Sequence, residues 1–227
     1  MKTIMRSLVV SALTIVVILS VTSLTYAQDL SRYRNFSFGM TLADISRQID
    51  AKPADVTSVH QRPALIQEVT WWPPQPYGSS RPAEPVGQVR FSFYNGALYR
   101  MLVTYEDAAI KGLTDEDMIR VVSTKYGTPT RPVADLTFPT NPSYHATEKV
   151  IARWDDSQYS ANLFRSSSGT FAVLMFVKQV DAQAGVSIAE SLKLEEQEAP
   201  QRQADRTKKA ADDLEGERQK NIKTLRP

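Results

Sequence analysis

Cysteine is absent from the 227 residues, and histidine occurs only twice. Without cysteine there is no disulfide, no thiolate nucleophile and no thiolate metal site. A bacterial lipid anchor is excluded too, because that attachment needs a cysteine. An excess of charge of one sign is also missing. The chain holds 27 basic and 25 acidic residues, and two of the basic ones, Lys2 and Arg6, stand in the first six positions. From Gln28 onward the two signs balance at 25 each. That removes the electrostatic basis for a general nucleic-acid surface. No glycine-rich phosphate loop, dinucleotide fingerprint or G-x-S-x-G elbow occurs.

The two histidines, His60 and His145, sit in stretches rich in proline, serine or threonine. Neither has a second histidine or a carboxylate at metal-ligand spacing. Both read as solvated loop residues, so no metal and no cofactor is expected. A distant serine or acid converging on either would make a hydrolase, which is the enzymatic alternative. Paired acids can also run hydrolysis. Here Asp115-Glu116-Asp117 reads as a helix start and Asp155-Asp156 as a turn between strands.

What is present begins with an uncharged stretch from Ser7 to Gln28, behind Lys2 and Arg6. It contains Leu13-Thr14-Ile15-Val16-Val17-Ile18-Leu19 and closes on Thr25-Tyr26-Ala27. A basic end, an apolar middle and a small-residue exit form a secretory signal, with cleavage expected after Ala27. The alternative is an uncleaved anchor, since the stretch is near the roughly 20 residues of a membrane helix. Export to the periplasm or the exterior follows from the first reading, tethering from the second.

Two segments then read alike. Gly39-Met40-Thr41-Leu42-Ala43-Asp44-Ile45-Ser46-Arg47 and Gly112-Leu113-Thr114-Asp115-Glu116-Asp117-Met118-Ile119-Arg120 are offset by 73. Thr41 and Thr114 fit helix N-caps, with Asp44 and Asp117 at the third helical position. Met40 with Ile45, and Leu113 with Met118, fit the hydrophobic staple. After each helix comes a strand ending in tryptophan, about 65–72 and 149–154. A hairpin follows, 89–93 with 98–105 and 159–165 with 170–178. The reading is two αβββ repeats in a two-layer α+β sandwich, with helices on one face of antiparallel sheet. The other face is left for solvent or a partner. The expected boundaries are a signal over 1–27, units over 28–110 and 111–181, and a tail over 182–227.

Alternation of Val89, Phe91 and Phe93 argues for one buried face. A three-residue loop, Tyr94-Asn95-Gly96, would pair Phe91 with Tyr99 and keep Arg100 off that face. Five of the 13 prolines follow Trp71-Trp72, between positions 73 and 85. In a strand one of two adjacent tryptophans faces out, so Trp72 with Tyr77 is a candidate partner contact. The competing reading packs both rings beneath the loop. The tail holds nine acidic and nine basic residues and no aromatic. Interrupted by Gly185, Pro200 and Gly216, it reads as solvated and partly helical or disordered. A partner-binding helix is the sharper alternative.

Phe38-Gly39-Met40-Thr41 leading a short helix, a strand and a hairpin resembles small periplasmic proteins of the outer-membrane-assembly lipoprotein (SmpA/OmlA) type. Two such units in tandem resemble the β-lactamase-inhibitor-protein fold. The likeness covers roughly 36–178 and departs from the lipoproteins in lacking the lipidated cysteine. It implies a non-enzymatic module that binds or assembles a protein or cell-envelope component. It transfers no functional residue.

Overall fold

The computed structural model describes residues 29–74, 85–130, 136–137, 147–166 and 168–225. The expected signal with its Ala27 site, Tyr77 and His145 lie outside the described residues. A small hairpin, β1 (Arg32–Tyr33) and β2 (Phe36–Ser37), precedes α1 (Leu42–Ile49). Four strands follow: β3 (Val56–His60), β4 (Ile66–Trp71), β5 (Val86–Tyr94) and β6 (Ala97–Tyr105). Then come the one-turn α2 (Asp107–Ile110), α3 (Asp115–Tyr126) and a two-residue pair, β7 (Leu136–Thr137) with β8 (Thr147–Glu148). β9 (Val150–Asp155), β10 (Tyr159–Arg165) and β11 (Phe171–Val177) lead directly into α4 (Lys178–Thr224).

Both helix starts are built as their sequences require. The Asp44 N–H donates to Thr41 Oγ1, and the Asp117 N–H donates to Thr114 Oγ1, each at 3.2 Å. At α3 the box closes, with the Thr114 N–H donating to Asp117 Oδ2 at 3.1 Å. Thr41 Oγ1 donates to Asp44 Oδ2 at 2.7 Å, and the Thr114 N–H and Oγ1 donate to Asp117 Oδ2; these threonine contacts lead in holding both carboxyls below the usual aspartate range. The shared glycines have a backbone reason: φ is 84° at Gly39 and 83° at Gly112, where a Cβ is strained.

Seven strands form one antiparallel sheet in the order β3-β4-β5-β6-β11-β10-β9. The fold is therefore α+β, and both strand sets share a single sheet. The order runs β4-β5-β6 from one side and β9-β10-β11 from the other, meeting where Met101 faces Met175 and Leu102 faces Leu174. β3 is an added edge strand that hydrophobic patterning did not reveal, because Val56-Thr57-Ser58-Val59 looks like loop.

One face carries the main core. Phe91, Phe93, Met101, Leu163, Phe171 and Trp154 are buried there beneath Ile45 of α1 and Met118 and Val122 of α3. Each such large apolar side chain contributes about 1.5–3 kcal/mol by leaving water. Trp154 also closes α3, donating from Nε1 to the Gly127 carbonyl at 2.8 Å.

The β5–β6 turn differs from expectation. Asn95 (φ 49°) and Gly96 (φ 84°) form a two-residue loop of the left-handed kind that matches strand twist. Tyr94 faces Ala97, Phe93 faces Leu98 and Phe91 faces Met101. The extra residue sits in β6 as a bulge at Tyr99, not in the turn. Arg100 faces Ser92, away from the face that Phe91 occupies. A bulge restores the alternation after the turn, so the facing of Arg100 is the same by either route.

Trp154→Phe keeps the ring in the core but removes the donor to Gly127. A loss of about 1–2 kcal/mol is expected in urea unfolding. An unchanged midpoint would show that this bond does not hold the end of α3.

Candidate functional site

The second sheet face is occupied, and the element that covers part of it is α4. The expected boundary at 182 falls inside this helix, whose first turns are core and not solvated tail. Ala184, Ile188, Val180 and Leu192 recur every four residues and pack on Ile66 and Tyr99. Val186 lies off this stripe and is 60% exposed. Gly185 and Pro200 read as breaks in sequence, yet the helix passes through both.

Polar contacts line α4 from its start, where it reaches the end of edge strand β9, to the opposite edge strand β3. At the start, Lys178 Nζ donates to Asp155 Oδ2 at 2.8 Å, and this contact leads in holding the Asp155 carboxyl below its usual range. One turn on, Arg100 Nε of β6 donates to Asp181 Oδ1 at 2.7 Å. Both partners are largely shielded, with side chains 7% and 19% exposed. Burial pushes the Asp181 carboxyl above its usual range, against the pull of the Arg100 charge and hydrogen bond. Tyr94 of β5 then meets Ser187 at 3.3 Å. At the edge strand, Ser191 Oγ lies 2.9 Å from His60 Nδ1. Beyond it the Arg62 guanidinium holds the Glu198 carboxylate at 2.8 and 3.0 Å.

His60 is thus not a solvated loop histidine. It ends β3, is 6% exposed and lies under α4. Sequence reasoning missed it because its partner Ser191 stands 131 residues away. Glu195 Oε1 is 3.6 Å from the same Nδ1, and Ser191 Oγ is 3.4 Å from that oxygen. A Ser–His–Glu set is brought together, but its geometry is not a catalytic relay. A relay places the nucleophile on one ring nitrogen and the acid on the other. Here both converge on Nδ1, and Nε2 is buried with no hydrogen-bond partner among the described residues. A pocket of about 270 Å³ beside it is lined by Ser58, Gln61, Arg62, Leu194, Glu195 and Arg202. The cluster acts as a clasp between β3 and α4.

Other candidates resolve more simply. Asp156 Oδ1 accepts the N–H groups of Gln158 and Tyr159, each at 2.7 Å, which is the turn its sequence implied. Asp115 pairs with Arg165 at 2.9 Å. Trp71 packs edge-on against Phe36 at 5.6 Å, whereas Trp72 is 65% exposed. Among the described residues no group of three metal-ligating side chains could hold an ion. Nor is any helix there long and apolar enough to cross a membrane.

Past the clasp the helix leaves the body. Every residue from Ala199 to Leu225 is exposed. Pro200, which gives no N–H to the ladder, stands at this departure point. The 26 helical residues from 199 to 224 make an arm of about 39 Å at 1.5 Å per residue. Along it lie Leu214, Ile222 and Leu225, 68%, 53% and 78% exposed.

In comparisons with known proteins, the chain matches no family model, no curated protein and no solved structure at a significant level.

Side-chain carboxyl NMR titration checks the electrostatics of the root. Asp181 is expected to titrate above the ordinary value of about 3.9, and Asp117 and Asp155 below it. The signs oppose. Asp181 costs stability when ionised, and that cost is relieved as pH falls through its raised value. Asp117 and Asp155 stabilise the fold above the ordinary value, and this is lost as pH falls through their depressed ones. An Asp181 value below the ordinary one would contradict its burial.

Proposed function

We propose that this protein is an exported, non-catalytic binding or assembly module of the cell envelope, and that the projecting half of α4 is its contact element. The observation that carries the reading is the arm itself. Most helical stability in proteins comes from burying an amphipathic face against something. The arm buries none against its own body, while its root is fixed by five polar contacts and an apolar stripe. Rigid seating at one end and full exposure at the other suit a helix that is presented to a partner.

Three further features support the reading. The first 27 residues read as an export signal, and the balanced charge beyond them argues against nucleic acid. The sequence resemblance to tandem αβββ periplasmic modules points to binding rather than catalysis. Two copies of one αβββ unit, joined through β6 and β11, would account for the offset of 73 and for the strand order. Trp72, beside its proline-rich loop, is a second candidate contact on the same body. At His60 the hydrolase alternative loses ground, because the serine and the acid both meet one ring nitrogen.

Photocross-linking in the source cell tests this. A photoreactive residue at Leu214 is expected to give protein adducts, and one at exposed Glu116 of α3 is not. An absence of adducts at Leu214 would refute the arm as the contact element.

A further inference from the structure

Resting on that reading, we infer that the arm's partner is a second copy of this chain, its arm laid antiparallel to the first. The argument begins with charge order along α4. Glu190, Glu195, Glu196 and Glu198, against Lys193 alone, make 190–198 net negative by three. Arg202, Arg206, Lys208 and Lys209, against Asp205, make 202–209 net positive by three. Asp212, Asp213, Glu215 and Glu217 make 212–217 negative by four. Arg218, Lys220 and Lys223 make 218–224 positive by three. The helix is thus four blocks of alternating sign.

Such an order is self-complementary in one orientation. Two arms crossing antiparallel near Ala210-Ala211 place the 202–209 block of each against the 212–217 block of the other. The same crossing sets Lys223, near the tip of each arm, opposite Glu198 at the root of the other. A parallel pair would set like blocks side by side, which is repulsive. The antiparallel pair is also a closed two-fold interface, in which each copy contributes the same patch.

Helical geometry supplies a seam for it. At 100° per residue, Ala204, Ala211, Leu214, Ile222 and Leu225 fall within about 80° of arc. Small Ala210 and Ala211 at the crossing let the backbones approach closely. In sequence these apolar residues are too sparse for a heptad. Only a helix continuous through Gly216 gathers them onto one side. Exposed ion pairs are individually weak, about 0.2–1 kcal/mol, so the charges set orientation while the stripe buries area.

Sedimentation equilibrium on the chain from Gln28 to Pro227 tests the inference at low ionic strength. Wild type is expected at the mass of two chains. Reversing the acidic block (Asp212→Lys, Asp213→Lys, Glu215→Lys, Glu217→Lys) should give one chain. Reversing the basic block (Arg206→Glu, Lys208→Glu, Lys209→Glu) should do the same. Mixing the two variants in equal amounts should restore the doubled mass, because their central blocks are now opposite. Circular dichroism and tryptophan emission check that both variants keep the folded body, and the mixing experiment does not depend on wild type. A single-chain mass for wild type, or a dimer indifferent to both reversals, would overturn the inference. If Leu214 cross-links in the cell to a different protein while the chain sediments alone, the binding-module reading stands and this one falls.

Discussion

A sheet of seven strands has two faces, and the two short helices that open the repeated segments reach only one of them. The second face carries Ile66, Tyr99 and Tyr94, too apolar to leave in water. It also carries Arg100, whose charge cannot be buried alone. α4 answers both needs. Its four-residue stripe covers the apolar side chains, and Asp181 meets Arg100. Removing one partner from a shielded ion pair costs about 3–5 kcal/mol, so the pair pins the helix in one position and register. Its clasp at His60 and Ser191 then fixes the direction in which the helix crosses the edge strand. Where the arm points is a consequence of where the root is tied.

Burial on this face also explains the electrostatics. Asp181 is paired and still pushed toward its neutral form, because loss of water outweighs the attraction of Arg100. At the other end Glu198 is only partly shielded, and the Arg62 hydrogen bond holds it in its charged form. The root is thus dry at the sheet centre and wet at its rim. Tyr99, on the bulge beside Arg100, has its hydroxyl pushed up to about 12 by the same burial.

The parts legible from sequence were those governed by local rules. Thr41 and Thr114 cap helices because a hydroxyl before an apolar period does so anywhere, and alternating strand residues announced β4 to β6 and β9 to β11. What stayed hidden depended on distant partners. His60 resembled a loop residue until Ser191 covered it. β3 is mostly polar: Thr57 and Ser58 are exposed, Val56 alone packs on the main core, and Val59 and His60 are covered from the side of α4. The Tyr99 bulge was hidden because moving one extra residue from turn to strand leaves Phe91 and Arg100 on the same opposite faces. α4 was misread because Gly185 and Pro200 outweighed a four-residue stripe, Val180, Ala184, Ile188 and Leu192, in which Ala184 gives little apolar signal. Trp72 was singled out as the outward ring and is exposed, while its proposed companion Tyr77 lies outside the described residues.

The account stands on a division of one helix into a seated root and a free arm. Residue-resolved hydrogen exchange of the chain at concentrations too low for self-association measures that division directly. Amides from about 182 to 198 should exchange slowly, with the sheet, and those from 201 to 224 much faster. Fast exchange along the whole of α4 would mean that the root is not held by Arg100 and His60. Uniform protection to residue 224 would mean that the arm is not free, and either result would contradict the account.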